Sequence, residues 1–209
     1  MSFGKYTGTA MPSTYWNTLV DRICWRISKD IPLPWFARTD DQALVYYESP
    51  YYVLRIKSDT PHVVSIWSHG YSFGYGTYQW KAKVENPNSK TNIYVGLLER
   101  RHGWPFEGAI FVEASAGDYK FTTSEEGLTT PSETTILEGQ DWTTEKTFKV
   151  EWAETYVKLY VNDSLEATHS GVVPAETMGN LFFEIANWGT TPPDETFLYI
   201  KEQSFEQLA

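Results

Sequence analysis

Cysteine is nearly absent. Cys24 stands alone among 209 residues, so no intramolecular disulfide can staple the fold. Set in Arg22-Ile23-Cys24-Trp25, it reads as a buried thiol. Basic residues are also few, 17 Lys and Arg against 27 Asp and Glu, which leaves a formal net charge of −10. A nucleic-acid partner needs a basic patch, and no Lys/Arg cluster supplies one. The same repulsion disfavours anionic membranes and polyanionic substrates, but not neutral glycans. No apolar run reaches the roughly 18 residues of a membrane span, so no membrane insertion is expected. The opening MSFGKYTGTAMPST lacks the charged and apolar regions of a secretory signal. The sequence predicts a soluble chain, leaves an extracellular or surface-associated setting open, and carries no signal for oligomeric state. His62, His69, His102 and His169 show no ligand spacing, so no metal is expected from them. Helix signals are scarce as well: one short helix is expected over Tyr15 to Ile27, with Ser13 as its cap.

Aromatic residues are abundant, at 16 % with 9 Trp, 14 Tyr and 11 Phe. That exceeds what a core requires, and a surplus of Trp and Tyr often lines a binding surface. Strand-like segments recur between turn residues: Ala43–Tyr47, Tyr51–Ile56, His62–Trp67, Gly76–Val84, Asn92–Leu98, Ala109–Ala114, Tyr119–Thr123, Thr147–Trp152, Tyr156–Val161, Leu181–Ala186 and Thr196–Glu202. Asn162-Asp163-Ser164 fits a glycosylation sequon, but between two such segments it more simply supplies turn residues. Strands without regular intervening helices predict an all-β sandwich or barrel, and the lack of a linker or repeat predicts one domain over residues 1–209.

The stretch Gly70-Tyr71-Ser72-Phe73-Gly74 matches G-x-S-x-G, the nucleophile elbow, which requires a helix immediately after the serine turn. The residues from Gly76 onward alternate instead: Tyr78, Trp80, Ala82 and Val84 fall on one face with period two. The elbow is read as coincidence and Gly76–Val84 as a half-buried strand, with Trp80 and Trp152 expected in the core alongside Trp25.

The same residues carry a likeness. Phe73-Gly74-Tyr75-Gly76-Thr77-Tyr78-Gln79-Trp80-Lys81-Ala82-Lys83 resembles the "sYGrfEaRik" strand of the family 16 glycoside hydrolases, in the concanavalin A-like lectin/glucanase superfamily. Thr147 to Asp163, with its Glu151-Trp152 pair, is similar to the family's "yaiEWtpdyIrfYvDG" hairpin. Phe182-Phe183-Glu184-Ile185-Ala186-Asn187-Trp188-Gly189 resembles the late "lilNlwvGG" strand, and Phe197-Leu198-Tyr199-Ile200-Lys201 the closing "vDYVRVY". The resemblance implies a jelly-roll sandwich of two antiparallel sheets, with a family-like core over about 40–203 and a concave sugar-binding groove. Many superfamily members hold Ca2+ through an Asp in the final strand; Leu198 stands near that position, which puts the ion in doubt.

The family's catalytic strand reads E-x-D-x-E, a nucleophile, an assisting Asp and an acid/base. Setting Glu113 on the acid/base puts Ala109 at the nucleophile and Phe111 at the Asp. Glu107 is six residues away, about 20 Å at strand rise, against roughly 5–5.5 Å for a retaining and 6.5–9.5 Å for an inverting pair. Glu99 and Glu184 come within range of Glu113 only if their strands neighbour it and face the groove. The alternative is that each is a solvated or ion-paired strand residue. Trp104, between Arg100, His102 and the strand of Glu113, is a candidate for stacking on a pyranose ring, as is Trp188. Arg100, His102 and Asn187 are candidate hydroxyl contacts. The expected function is recognition of a neutral polysaccharide or glycan in an aromatic-lined groove without hydrolysis and without a cofactor. One alternative is a β-glucan-type hydrolase with a relocated carboxylate pair. A second is a structural or attachment protein of a particle or cell surface.

Overall fold

The computed structural model describes residues 35–38, 45–57, 63–68, 74–98, 108–115, 118–125, 131–136, 142–175, 180–187 and 194–207. The helix expected over 15–27, Cys24 and Trp25 lie outside them. Among the described residues all regular structure is strand. In chain order the strands are β1 (Trp35–Arg38), β2 (Val45–Glu48), β3 (Tyr51–Ile56), β4 (Val63–Ser68), β5 (Gly76–Glu85), β6 (Asn92–Leu98) and β7 (Ala109–Ser115). They continue with β8 (Asp118–Ser124), β9 (Ser132–Thr135), β10 (Lys146–Ala153), β11 (Tyr156–Val161), β12 (Ser164–His169), β13 (Asn180–Ala186) and β14 (Thr196–Gln207). Two seven-stranded sheets result, sheet I in the order β1-β4-β13-β6-β7-β8-β9 and sheet II in the order β12-β11-β10-β5-β14-β3-β2. Every pairing is antiparallel. The architecture is a jelly-roll sandwich.

Period-two patterning drives the packing, because consecutive side chains on a strand point to opposite faces. Along β5 the burial alternates as expected: Tyr78, Trp80, Ala82 and Val84 are at most 1 % exposed, while Thr77, Gln79, Lys81 and Lys83 face outward. A strand stands where the nucleophile elbow would need a helix. Trp80 packs across the sandwich on Phe183 of sheet I, with ring centroids 6.0 Å apart, and on Phe148 at 6.1 Å. Trp142 closes one side of this aromatic centre at 5.0 Å from Phe148, and its carbonyl accepts a bond from Val84 N at 2.8 Å. The β10–β11 hairpin is followed by the turn Asn162-Asp163, with φ of 50° and 67°. Two consecutive left-handed residues are what a tight type I′ turn demands, and Asn and Asp tolerate them.

The sandwich is stitched at its β8–β9–β12 end by polar groups. His169, on edge strand β12 of sheet II, is bonded through Nδ1 to Thr123 of β8 at 2.9 Å and through Nε2 to Thr134 of β9 at 2.8 Å. The loop after β12 is held against sheet I, since Thr123 Oγ1 donates to Val172 O at 2.8 Å and Val173 N donates to Glu125. Trp152 Nε1, from sheet II, donates to Pro174 O at 3.0 Å.

Sheet I also carries apolar residues on its outer face. Leu98, Ala109, Phe111 and Phe182 form a second buried cluster with Tyr94 against it. Gly96, in the middle strand β6, pairs with Phe111 on one side and Phe182 on the other. A Cβ at Gly96 would run into the Ile110 carbonyl and lie 2.6 Å from Phe111 Cα, so the obstruction is the backbone of β7. Gly96→Ala is therefore expected to destabilise the fold by about 2 kcal/mol or more, a fall of roughly 4–8 °C in Tm. A thermal melt at wild-type Tm would show that β7 yields freely.

Candidate functional site

Strand β7 fixes the chemistry available on the outer face of sheet I. Ile110, Val112 and Ala114 point into the sandwich core, so Ala109, Phe111, Glu113 and Ser115 point outward. The three positions set against E-x-D-x-E in the sequence, Ala109, Phe111 and Glu113, share one face as that alignment requires. Ala109 is 2 % and Phe111 6 % exposed, both inside the apolar outer cluster. Where the resemblance puts two carboxylates, the strand carries a methyl group and a phenyl ring.

Glu113 belongs to a polar row running across the strands. It pairs with Tyr94 of β6 on one side and Lys120 of β8 on the other. Tyr94 in turn pairs with Glu184 of β13, and Glu184 with Ser65 of β4. The Tyr94 hydroxyl bonds the Glu113 carboxylate. It also accepts from Asn92 Nδ2 at 3.3 Å, and Asn92 Oδ1 accepts from Ser115 Oγ at 2.8 Å. Lys120 Nζ lies 3.3 Å from Glu133 of β9. Burial pushes the Glu113 carboxyl above its ordinary value, the Lys120 charge and the Tyr94 bond pull it back, and Glu133 adds to the rise. The outcome is a carboxyl more easily protonated than a solvated glutamate.

Glu184 reaches the same row and is 6 % exposed. One strand, β6, separates it from Glu113, so their backbones are two strand spacings apart, about 9.6 Å. A retaining pair requires roughly 5–5.5 Å and an inverting pair roughly 6.5–9.5 Å. The strand separation therefore sits at the outer edge of the inverting range, with Tyr94 standing between. Asn187, directly after β13, is buried at 1 % exposure. Glu99, Arg100, His102, Trp104 and Trp188 lie outside the described residues. Strand β6 ends at Leu98, opposite Ala109 and four residues along β7 from Glu113.

Several polar residues of this face were not singled out from the sequence: Asn92, Tyr94, Ser115, Lys120 and Glu133. The alternation of Asn92-Ile93-Tyr94-Val95 carried the signal, since Ile93 and Val95 in the core force Asn92 and Tyr94 onto the outer face with Glu113. Two hydroxyls on this face, Ser65 Oγ and Thr122 Oγ1, are buried without a hydrogen-bond partner among the described residues. Among the described residues no group of three or more His, Cys, Asp or Glu is placed to hold a metal. Leu198, near the position used for Ca2+ in the superfamily, is fully buried in the core, and its side chain offers no oxygen to that ion.

No protein-family model and no curated protein matches the chain. Solved structures do. The laminarinase catalytic domain of Thermotoga maritima MSB8 is 14 % identical with a TM-score of 0.67, over 88 % of this chain and 96 % of that one. The β-glucanase of Bacillus licheniformis is 16 % identical with a TM-score of 0.65, over 82 % and 92 %. A structure from work on endo-acting O-glycanases of the human gut microbiota is 13 % identical with a TM-score of 0.70, over 88 % and 98 %. At these identities the likeness shows the fold, which is the concanavalin A-like sandwich of laminarinase and β-glucanase catalytic domains.

The opposing influences on Glu113 can be separated by substitution. Tyr94→Phe removes a hydrogen bond to the charged form, and Lys120→Met removes the nearest cation, so each should raise the Glu113 titration midpoint further. Carbon-detected NMR titration of the glutamate carboxyls reads this directly, and an unmoved Glu113 in Tyr94→Phe would mean the phenol does not hold it.

Proposed function

We propose that this chain recognises a neutral polysaccharide or glycan on the outer face of sheet I and does not hydrolyse it. One observation carries the reading: Ala109 and Phe111, which the resemblance sets against the nucleophile and the assisting Asp, are sealed in an apolar cluster. A glycosidase needs a second carboxyl placed against the first, and β7 presents only Glu113 on its outer face within Ala109–Ser115. The glucan-acting enzymes that share this fold support a carbohydrate ligand. In this role Glu113 accepts a hydrogen bond from a sugar hydroxyl, with Tyr94 holding its carboxylate in place and Lys120 offering a donor beside it. Trp104 and Trp188 supply stacking surfaces, while Arg100 and His102 bond further hydroxyls; Asn187 is too deeply buried to take part.

A second reading has an observation in its favour. Glu113 and Glu184 share one row, and the raised affinity of Glu113 for a proton suits a general acid. In that case the chain is an inverting hydrolase of a β-glucan with Glu184 as base.

A panel of β-glucans, galactans, mannans and xylans, scored for binding and for reducing ends released over a long incubation, separates the two. Binding without new reducing ends is expected, and Trp104→Ala or Trp188→Ala should weaken it roughly tenfold. Reducing ends that vanish in Glu113→Gln while binding persists would establish the hydrolase. Absence of both signals would remove the carbohydrate reading and favour a structural or attachment role.

A further inference from the structure

The polar row and the histidine stitch lie on opposite faces of the same two strands. Along β8, Thr123 points inward to His169 while Lys120 and Thr122 point outward; along β9, Thr134 points inward while Glu133 points outward. Among the described residues, strand β9 is the edge of sheet I and pairs only with β8. Nothing in the glycan-binding reading uses His169, yet its ring is where sheet II grips the pair of strands that carry Lys120 and Glu133.

The hydrogen-bond network fixes the state of that ring. The single hydroxyl proton of Thr123 goes to the Val172 carbonyl, so towards Nδ1 the Thr123 oxygen can only accept. Nδ1 therefore carries the hydrogen. Nε2 holds the lone pair and accepts from the Thr134 hydroxyl. A second proton would land on Nε2, turn the Thr134 hydroxyl away from its donor role, and leave a cation at a site 4 % exposed. The Phe121 ring lies 4.8 Å from the imidazole. Lys120 and Glu133 face the other side of sheet I, Glu166 and Lys158 face away from the core on β12 and β11, and the Glu125 carboxylate is turned to Val173 N. None of them compensates the charge. Burial holds the imidazole below its ordinary value.

We propose that His169 is a positioning residue for the rim of the site: neutral, it pins β8 and β9 from the core side and so holds Lys120 and Glu133 beside Glu113, and doubly protonated it releases them. The unfolded or opened segment takes up a proton at the ordinary histidine value of about 6.5, above that of the closed state. The stabilisation is complete above about pH 6.5 and is lost as pH falls towards the folded value. The effect on ligand rests on the glycan-binding reading; the effect on the strands does not.

Hydrogen exchange by NMR on the full chain tests this, comparing wild type with His169→Gln at pH 7.5 and 5.0 and expressing the rates as protection factors. In wild type, protection over 121–124 and 132–135 should drop by about tenfold for each pK unit between the opened and closed states, while Val53 and Tyr199 of sheet II keep theirs. His169→Gln should show no such pH dependence, which also separates the histidine from Glu113, since a Glu113 effect would persist in this variant. Unchanged protection in wild type, or an equal drop in His169→Gln, overturns the proposal. If His169→Gln does not fold, the wild-type ring titration decides: full protonation of His169 with protection intact overturns it as well. Laminaritetraose is the binding probe. An affinity that falls with protection supports the coupling, and protection that falls while laminaritetraose and the polysaccharide panel bind at neither pH supports the latch but removes the glycan reading.

Discussion

Everything on the outer face of sheet I depends on the two-residue period of its strands. Ile110, Val112 and Ala114 are committed to the core between the sheets, as are Ile93 and Val95 on β6 and Phe183 and Ile185 on β13. These residues hold the register of the sheet, because a one-residue slip would turn each of them to the outside. The intervening positions are left free of the fold's demands. That separation is how a chain can keep a sandwich like those of a laminarinase catalytic domain and a β-glucanase at 14–16 % identity.

Much of the sandwich was legible for the same reason. Tyr51–Ile56, Asn92–Leu98 and Tyr156–Val161 match the observed strands end for end, because each alternates cleanly or carries dense β-branched and aromatic residues. Three strands escaped notice. Ser132–Thr135 is a polar edge strand of Ser, Glu and Thr, Ser164–His169 has one large aliphatic residue, and Trp35–Arg38 is four residues long behind two prolines. Each is an outermost strand of its sheet, where one neighbour suffices and hydrophobicity is a liability. The site was half legible. Glu113 and Glu184 were singled out as carboxylates on two strands, but that β6 lies between those strands is a property of strand order, which no local pattern encodes. Tyr94 becomes visible as a partner of Glu113 only once that order is known.

Many of the described aromatic residues are used by the fold itself. Trp80, Trp142, Trp152 and Phe148 are core. On the outer face of sheet II, Tyr51 and Tyr199 meet edge to face at 5.6 Å, and Lys83 lies over both rings at 5.1 and 4.5 Å. Lys201 covers Tyr51 at 4.9 Å and pairs with Glu145, which also accepts from the Tyr51 hydroxyl, while the Tyr199 hydroxyl donates to Glu85. Both hydroxyls have acceptors, and lysine stems and ammonium groups cover the ring faces. A ring used in this way is a poor platform for a sugar.

Catalytic and structural use of one sheet face oppose each other. A floor of two or three carboxylates must be kept wet or paired, since each buried charge without a partner loses far more solvation than it gains in packing. An apolar floor has the reverse preference and is stabilised by burial at about 25 cal/mol per Å². In this chain the centre of the face has taken the second form: Gly96 leaves room between Phe111 and Phe182, and Leu98 and Ala109 complete a small core outside the main one. The polar row survives beside it because its members satisfy one another through Ser115, Asn92, Tyr94, Glu113, Lys120 and Glu133. Adding a nucleophile at Ala109 would place a charge inside that apolar cluster. Two opposite solutions thus adjoin on one sheet face, an apolar floor around Phe111 and a polar row through Glu113.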